Sequence, residues 1–188
     1  VIGNPPYNAY AGTSAEAEDN AIEVYKKDLR AKWGIKKFNL DDLYVRFFRL
    51  AERCITELNT AQRGIVSFIT NYSWLKEPSF VVLREHLLKS FDQFWIENMH
   101  GDRKISEYAP DGRTSETVFA IPGFSAGIQQ GTAISLWIKR GAVQPESGPE
   151  VWFRDDLNQA KAVDRRAQLL ASLDDPHLTQ HYQRAFPT

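Results

Sequence analysis

The chain is organised around its first seven residues, Val1-Ile2-Gly3-Asn4-Pro5-Pro6-Tyr7, which join the end of a predicted strand to a rigid polar corner. Its two apolar residues and glycine predict the last part of a buried strand. Each proline fixes its own φ near about −65° and pushes the residue before it into the extended region. Asn4 and Pro5 are therefore both held extended, so the Asn4 side chain and the Pro5 carbonyl can face one point beyond the strand. The simpler alternative is a plain turn, which Asn-Pro often begins.

This corner offers two hydrogen-bond acceptors and, in Tyr7, an aromatic ring. Such a set suits a planar group that carries an NH₂, either an amide or a nucleobase with an exocyclic amino group. The lone pair of that nitrogen is delocalised, which makes it a poor nucleophile. When both N–H bonds point at the Asn4 amide oxygen and the Pro5 carbonyl, the lone pair turns toward an electrophile on the other side. Catalysis then comes from positioning and preorganised dipoles, without a general base.

The composition is that of an ordinary globular domain, with 188 residues, 43% hydrophobic, 25% charged and a net charge of −1. A single cysteine, Cys54, excludes an internal disulfide and a cysteine-based zinc site, and it fits a reducing cytoplasm. The four histidines show no metal-binding spacing, so we expect no metal. No apolar run approaches about 18 residues, so we expect no membrane contact. The chain starts without methionine inside a predicted strand, which predicts part of a longer polypeptide.

The segment 39–58 is the most clearly periodic part of the chain. Asn39 is a favourable N-cap, and Asp41 and Asp42 in the first turn suit the helix dipole. Apolar residues recur at intervals of three and four and predict one buried stripe. They are Leu40, Leu43, Phe47, Leu50, Cys54, Ile55 and Leu58.

A continuous strand-forming run follows from Gly64 to Thr70 and predicts a strand buried on both faces, as in a parallel sheet. Asn71 and Tyr72 come next, at the end where open α/β sheets carry ligand-contacting loops. The other predicted elements are a helix over about 79–90, strands over 91–98 and 132–140, a linker over 144–149, and a peripheral strand and helix over 151–154 and 157–173. This order is half of a doubly wound α/β sheet.

The Asn4-Pro5-Pro6-Tyr7 corner resembles the Asn/Asp-Pro-Pro-Tyr/Phe signature of amino-group methyltransferases that use S-adenosylmethionine. Four further stretches narrow the resemblance: 43–47, 64–71, 100–104 and 128–136. Together they look like the methyltransferase region of the single-chain type ISP restriction–modification enzymes, which are adenine-N6 DNA methyltransferases. The resemblance spans about residues 1–173.

This resemblance implies the later half of a Rossmann-like class I methyltransferase sheet over residues 1–142. Residues 143–188 would then be a linker and a peripheral strand and helix leading toward a target-recognition domain. No Gly-rich turn follows a strand here, so the main S-adenosylmethionine motif is expected upstream. In that family one polypeptide also carries a nuclease and a helicase-like ATPase, whose motifs this chain lacks. The implied partners are double-stranded DNA and those other domains.

By the same resemblance, the catalytic residues are Asn4, Pro5, Pro6 and Tyr7. Asn4 and the Pro5 carbonyl would bind the adenine amino group, Pro6 would stiffen the corner, and Tyr7 would stack on the base. A base inside a duplex cannot reach such a pocket, so base flipping is required.

Asn71 and Trp137 are further candidates for substrate contacts, and Phe119 is the other candidate for a second stacking aromatic. For Asn71 a strand-end turn is an equal alternative. For both aromatics a position in the core is the favoured alternative.

The segment 24–37 is rich in basic residues, with Asp28 as its one acid. They are Lys26, Lys27, Arg30, Lys32, Lys36 and Lys37. One interpretation is an arm that contacts phosphates. The slightly favoured alternative is a solvated helix face whose charge is balanced by acidic residues just upstream.

Three functions therefore stay open. The first is an adenine-N6 DNA methyltransferase segment of a restriction–modification enzyme. The second is a methyltransferase for protein glutamine or RNA guanine, since both substrates present the same amino geometry. The third is an inactive DNA-contact scaffold, for which we expect weak or undetectable binding of S-adenosylmethionine.

Overall fold

The structure is a computed structural model of the chain and describes residues 1–7, 20–36, 40–120, 129–143 and 145–185. The strands in these residues are β1 (Ile2–Gly3), β2 (Gly64–Asn71), β3 (Gln93–Asn98), β4 (Thr132–Lys139), β5 (Glu150–Arg154) and β6 (Gln183–Ala185). The helices are α1 (Leu29–Trp33), α2 (Leu43–Thr56), α3 (Ser73–Lys76), α4 (Val81–Ser90) and α5 (Ala162–Ala171). Short 3-10 turns lie at Glu23–Tyr25, Pro78–Phe80, Arg103–Ile105, Ser172–Asp174 and Leu178–His181.

The strands form one six-stranded sheet in the order β1-β2-β4-β3-β5-β6. β1 and β2 are parallel, whereas β5 and β6 are antiparallel, so the sheet is mixed. With helices flanking it, this sheet confirms the predicted α/β class. The predicted strands over 91–98 and 132–140 and the predicted helix over 79–90 are confirmed as β3, β4 and α4.

The described chain divides into two compact units. The first unit consists of Val1–Phe94 and Leu136–Pro149, and the second of Trp95–Ser135 and Glu150–Thr188. The units alternate along the sequence. The predicted domain boundary between residues 142 and 143 stays a prediction.

An aromatic cluster fills the core of the first unit. Phe48 of α2 stacks against Phe68 of β2 at 5.9 Å between ring centroids, and it meets Trp74 edge-on at 5.2 Å. Trp137 of β4 lies 4.7 Å from Phe48 in the same edge-on manner. All four rings are buried, so α2 is held against the sheet by aromatic packing.

The prediction for the buried face of α2 is confirmed only in part, since Leu40 and Ile55 of the predicted stripe are buried. Three residues of the predicted stripe point to solvent in the described chain: Phe47 is 40% exposed, Leu50 57% and Leu58 67%. The face that packs inward carries Tyr44, Val45, Phe48, Ala51, Glu52 and Ile55. The periodicity thus joined two outward residues of α2, Phe47 and Leu50, to Ile55 of the inward face, and Leu58 lies beyond the end of the helix. The predicted N-cap, Asn39, lies outside the described residues, and Asp42 occupies the N-cap position.

Two predicted burials in the strands are also wrong. β2 alternates instead of being buried on both faces, with Val66 inside and Ile65 51% exposed. β1 was expected to be buried, but Ile2 is 84% exposed. The reason is that β1 stands at the end of the strand order and α2 covers only the face of β2 that carries Phe68.

A buried carboxylate ties the helices of the first unit together. Glu52 of α2 accepts hydrogen bonds from Arg49 Nη1 at 2.8 Å, from the Tyr25 hydroxyl at 2.8 Å and from Ser90. The His86 ring lies 3.1 Å from Glu52 Oε1, the oxygen that also accepts from Ser90, whereas Arg49 and Tyr25 donate to Oε2. Burial alone would raise the pKa of Glu52, but the bonds from His86, Ser90 and Tyr25 hold that pKa below its usual value.

A buried guanidinium organises the second unit. Arg165 of α5 is fully buried and donates to the Met99 carbonyl at 2.8 Å, the Glu116 carbonyl at 2.5 Å, the Ser115 hydroxyl at 2.7 Å and the Gln159 carbonyl. Burial lowers the pKa of Arg165. Through these bonds α5 holds both ends of the loop that runs from β3 to residue 118.

Candidate functional site

The polar corner is fixed by the pairing of β1 with β2. Ile2 and Gly3 lie opposite Ser67 and Phe68 in parallel register. A side chain at Gly3 would begin 3.3 Å from the Phe68 ring, which is tighter than ordinary contact. The glycine therefore lets β1 approach the aromatic core, and the chain leaves β1 into the proline pair at a defined place.

The corner presents Asn4 to solvent. Asn4 and Pro6 are exposed, Pro5 is buried and Tyr7 is half-buried. Because Pro5 is packed against the protein and both prolines restrict the backbone, the chain has little freedom between Gly3 and Tyr7.

Tyr7 turns back onto this corner. Its hydroxyl lies 3.0 Å from Asn4 Oδ1 and 3.2 Å from the Ile69 carbonyl oxygen of β2, so these two acceptors share its single proton. Burial raises the pKa of the Tyr7 phenol well above its ordinary value, so the hydroxyl stays protonated and donates at neutral pH. The bond orients the Asn4 amide and leaves its oxygen one further lone pair.

Sequence reasoning missed this role of the Tyr7 hydroxyl and assigned only the ring. No local pattern marks the bond, since it depends on β2 placing the Ile69 carbonyl beside the corner. Ile69 lies near the C-terminal end of β2, and β1 is parallel to β2. The corner therefore lies at the carboxyl ends of these two parallel strands, which is where open α/β sheets bind ligands.

Asn71 serves as a turn former in this structure. Its Oδ1 accepts the backbone N–H of Ser73 at 2.8 Å, at the start of α3, and its side chain is buried. The neighbouring Thr70 hydroxyl accepts the indole N–H of Trp74 at 3.2 Å. These contacts favour the strand-end turn that was the alternative to a substrate contact.

Trp137 is a core residue in this structure. It is fully buried and also packs edge-on against Phe91 at 5.4 Å. The described residues give its indole N–H no hydrogen-bond partner. These contacts favour the core position that was the alternative to a substrate contact for Trp137. Phe119 is half-buried in the second unit.

The basic segment is partly neutralised within the first unit. Lys26 binds Glu23 and Asp41, each at 3.0 Å, and Lys32 lies 3.4 Å from Glu85. Lys37 lies outside the described residues.

A surface cavity of about 260 Å³ adjoins this segment and mixes lysines with carboxylates. Glu85 bridges Lys32 and Lys89, at 3.4 and 2.8 Å. With this mixture of charges in its lining, the cavity has no clear preference for an anion, and we assign it no ligand.

The loop that follows β3 carries the second polar cluster. His100 Nδ1 lies 2.6 Å from Glu107 Oε1, and His100 Nε2 lies 3.3 Å from Asp155 Oδ1. Burial alone would lower the pKa of His100, but Glu107 and Asp155 raise it above 6.5. Burial alone would raise the pKa of Glu107, but His100 and the backbone N–H of Asp102 lower it below 4.5. Asn98 completes the cluster with a bond to Asp155 at 2.8 Å.

These opposite shifts predict a stability optimum for the loop. The lowered pKa of Glu107 stabilises the folded loop above about pH 4.5, and this is lost as the pH falls through the folded value. The raised pKa of His100 stabilises it below about pH 6.5, and this is lost as the pH rises through the folded value. We expect the highest protection of amides 99–117 between these pH values, measured by hydrogen exchange corrected for intrinsic rates.

His100→Gln is the control for this optimum, because glutamine keeps hydrogen-bonding groups but cannot titrate. The decline on the alkaline side should disappear in this variant. An unchanged profile would assign the decline to another group.

The described residues contain no group of three or more histidine, cysteine, aspartate or glutamate side chains placed to hold a metal ion. None of their helices combines the length and the apolarity that a membrane span requires.

Comparison with solved structures finds the same fold in two type ISP restriction–modification enzymes and in one further protein–DNA complex. The ATP-dependent type ISP enzyme LlaBIII bound to DNA matches with a TM-score of 0.74 and 22% identity, over 100% of this chain and 12% of that one. The DrdV–DNA complex matches with a TM-score of 0.71 and 23% identity, over 100% and 17%. A nuclease-deletion mutant of the type ISP enzyme LlaGI, in complex with a DNA substrate mimic, gives 0.69 and 21%, over 100% and 17%.

These likenesses confirm the fold that the resemblance implied, the α/β sheet of type ISP enzymes. The chain spans only 12% to 17% of the length of the three structures. No curated protein matches the chain.

The sequence itself matches one protein family over residues 1–105, which is more than half of the chain. The matched range includes the Asn4–Tyr7 corner and both strands that position it. The chain belongs to the family of Eco57I restriction-modification methylases.

Proposed function

We propose that this chain forms the methyl-acceptor side of an adenine-N6 DNA methyltransferase within a restriction–modification enzyme. The observation that carries the proposal is the exposed Asn4 amide, whose oxygen is oriented by the Tyr7 hydroxyl at 3.0 Å. Membership of a restriction-modification methylase family supports DNA methylation over other reactions.

The corner acts on the amino group by orientation. Asn4 Oδ1 and the Pro5 carbonyl oxygen accept the two N–H bonds of adenine N6, and the nitrogen lone pair then faces away from both. S-adenosylmethionine, when bound, supplies an electrophilic methyl group on a sulfonium. N6, oriented by Asn4 and Pro5, would take up this methyl group in place of one of its protons, which would pass to water. No residue of the corner has to act as a base.

The Tyr7 ring stacks on the adenine, which has left the duplex. Stacking of about 1–3 kcal/mol per base offsets part of the cost of flipping. Pro6 keeps the corner rigid. The oxygens of the corner are uncharged hydrogen-bond acceptors, which suits the amino group of adenine. We place the main motif that binds S-adenosylmethionine upstream of this chain.

The wider setting is also part of the proposal. The proposed partners are double-stranded DNA and further nuclease, ATPase and target-recognition domains of the same polypeptide. The DNA partner is supported by the three matched structures, which hold DNA or a DNA substrate mimic. The location is the cytoplasm, where both cellular and incoming DNA are present.

Mass spectrometry of nucleosides from DNA and RNA, and of digested protein, from cells that express the full-length protein tests this proposal. We expect N6-methyladenine in DNA above the level in cells that express the Asn4→Ala variant. Equal levels, with methylated glutamine or guanine appearing instead, would favour the alternative substrates. Equal levels with no new methylation would favour the inactive scaffold.

Tyr7→Phe separates the hydroxyl from the ring. This variant keeps the stacking surface but loses the bond to Asn4, and one hydrogen bond contributes about 0.5–1.5 kcal/mol. We expect kcat for methylation to fall by roughly two- to tenfold with little change in KM for DNA. Tyr7→Ala should also raise KM, because it removes the ring. If Tyr7→Phe and Tyr7→Ala gave the same kinetics, the hydroxyl and the ring would have no separate roles.

A further inference from the structure

The loop between β3 and residue 118 has an exposed tip that joins cations to apolar side chains. Arg103 and Lys104 are exposed in the 3-10 turn Arg103–Ile105. Ile105 in the same turn is 62% exposed, and Tyr108 is 65% exposed. Large apolar and aromatic side chains beside free cations on one loop suggest a binding surface.

The tip is held rigidly from below. A Cβ atom on Gly101, whose φ is +86°, would lie 2.4 Å from the Thr117 Cα, so the two backbones touch there. The Asp102 carboxylate accepts the backbone N–H of Lys104 at 3.1 Å and caps the turn. A β-bridge joins Tyr108 to Thr114. A partner therefore meets a preformed shape and avoids the cost of ordering the loop.

The acidic groups around the tip are already engaged. The ion pairs are Glu107 with His100 at 2.6 Å, Asp111 with Arg113 at 2.5 Å and Glu116 with Lys161 at 2.8 Å. Within the residues that the structure describes, no carboxylate forms an ion pair with Arg103 or Lys104. The Asp102 carboxylate also lies at the tip, where it caps the turn, so Arg103 and Lys104 leave a net positive charge there.

We propose that this loop is a contact surface for the DNA backbone, in which Arg103 and Lys104 bind phosphates and Tyr108 packs against the sugar–base wall. The inference rests on the proposed function, which requires DNA as partner. Cations supply sequence-independent attraction to phosphates, and an exposed ring adds stacking that tolerates any base. The apolar Ile105 beside them suits the floor of a groove.

The test measures binding of duplex DNA to the full-length protein over a range of salt concentrations. The plot of log K against log salt has a negative slope, to which each phosphate contact contributes about −0.9. The double variant Arg103→Ala with Lys104→Ala should therefore make this slope less steep by about 2. Affinity should fall by roughly tenfold at low salt. The fall should be equal on DNA with and without the recognition sequence, because phosphate contacts carry no sequence information.

Lys161→Ala is the matched control. It also removes an exposed cation from the second unit, but Lys161 is paired with Glu116 at 2.8 Å and should leave the slope unchanged. Tyr108→Ala should weaken binding several-fold without changing the slope, whereas Tyr108→Phe should bind as the unaltered protein does. Arg103, Lys104 and Tyr108 are exposed, so we expect the loop to stay folded in these variants, and hydrogen exchange over 99–117 measures this.

An unchanged slope and affinity in the double variant would overturn the proposal and point to a protein partner for this tip. In that case the Asn4→Ala test still stands, so the two proposals fail separately. A smaller salt dependence in the double variant, together with an unaltered methylation rate in Asn4→Ala, would support the loop surface. It would remove only the catalytic role of Asn4. Absence of DNA binding by the unaltered protein would overturn both.

Discussion

Asn4→Ala is expected to reduce the rate of DNA methylation by roughly 100- to 1000-fold while leaving the affinities for DNA and S-adenosylmethionine largely unchanged. The physical reason is that the Asn4 oxygen binds the amino group in the geometry from which it reacts, so its loss falls on the transition state. Losses of this size are typical when one preorganised hydrogen-bonding group is removed from a reacting centre. Kinetics of the full-length protein under single-turnover conditions measure the effect directly.

The matched variant is Asn4→Asp. Aspartate keeps an oxygen at the position of Asn4 Oδ1, and the methyltransferase signature that the corner resembles allows either residue. We expect Asn4→Asp to retain clearly more activity than Asn4→Ala. Because Asn4 is exposed, neither variant should change the fold. Methylation at the unaltered rate by Asn4→Ala would remove Asn4 from the mechanism.

The exposure of Asn4 was predictable from sequence because the geometry of the corner is local. Two prolines restrict the backbone wherever they occur, and Asn4 is exposed as expected at the end of a strand. The Tyr7 hydroxyl was not predictable, since its partner Ile69 is 62 residues away in the chain. The candidate site thus divides into a local part that the motif defines and a part that depends on strand pairing.

Non-local contacts also explain what the sequence did not reveal about the fold. β4 lies between β2 and β3, although it follows both in the chain, and no turn signal specifies that insertion. Glu52 and Arg165 are fully buried, whereas charged residues are ordinarily exposed. Each is tolerated because several donors or acceptors from distant segments converge on it.

The wrong face of α2 has a different cause, which lies within the helix. Phe47 and Leu50 are apolar residues on the outer side of α2, and a periodicity argument cannot rank two sides of one helix that both carry apolar residues. The inward face was hidden because it includes charged residues such as Glu52 and Arg49, whose side chains bind each other at 2.8 Å. Only packing distinguishes the two faces.

Phe48→Ala and Phe47→Ala test that assignment with adjacent residues of the same type. Phe48 is fully buried among Phe68, Trp74 and Trp137, so its truncation leaves a cavity and costs about 3–5 kcal/mol. Phe47 is 40% exposed in the described chain, so its truncation should cost less than about 1 kcal/mol. Hydrogen exchange of peptides from α2 and β2, in the full-length protein, reports the local free energy of opening.

Phe48→Ala should lower amide protection in those peptides by at least about 100-fold, since each 1.4 kcal/mol corresponds to about tenfold. Phe47→Ala should lower it by less than about fivefold. Equal losses in the two variants would restore the stripe that the sequence periodicity indicated and would require a covering segment over the outer face of α2. A large loss confined to Phe48→Ala establishes the aromatic cluster as the support of β2, and through the Ile69 carbonyl of β2 as a support of Tyr7 and Asn4.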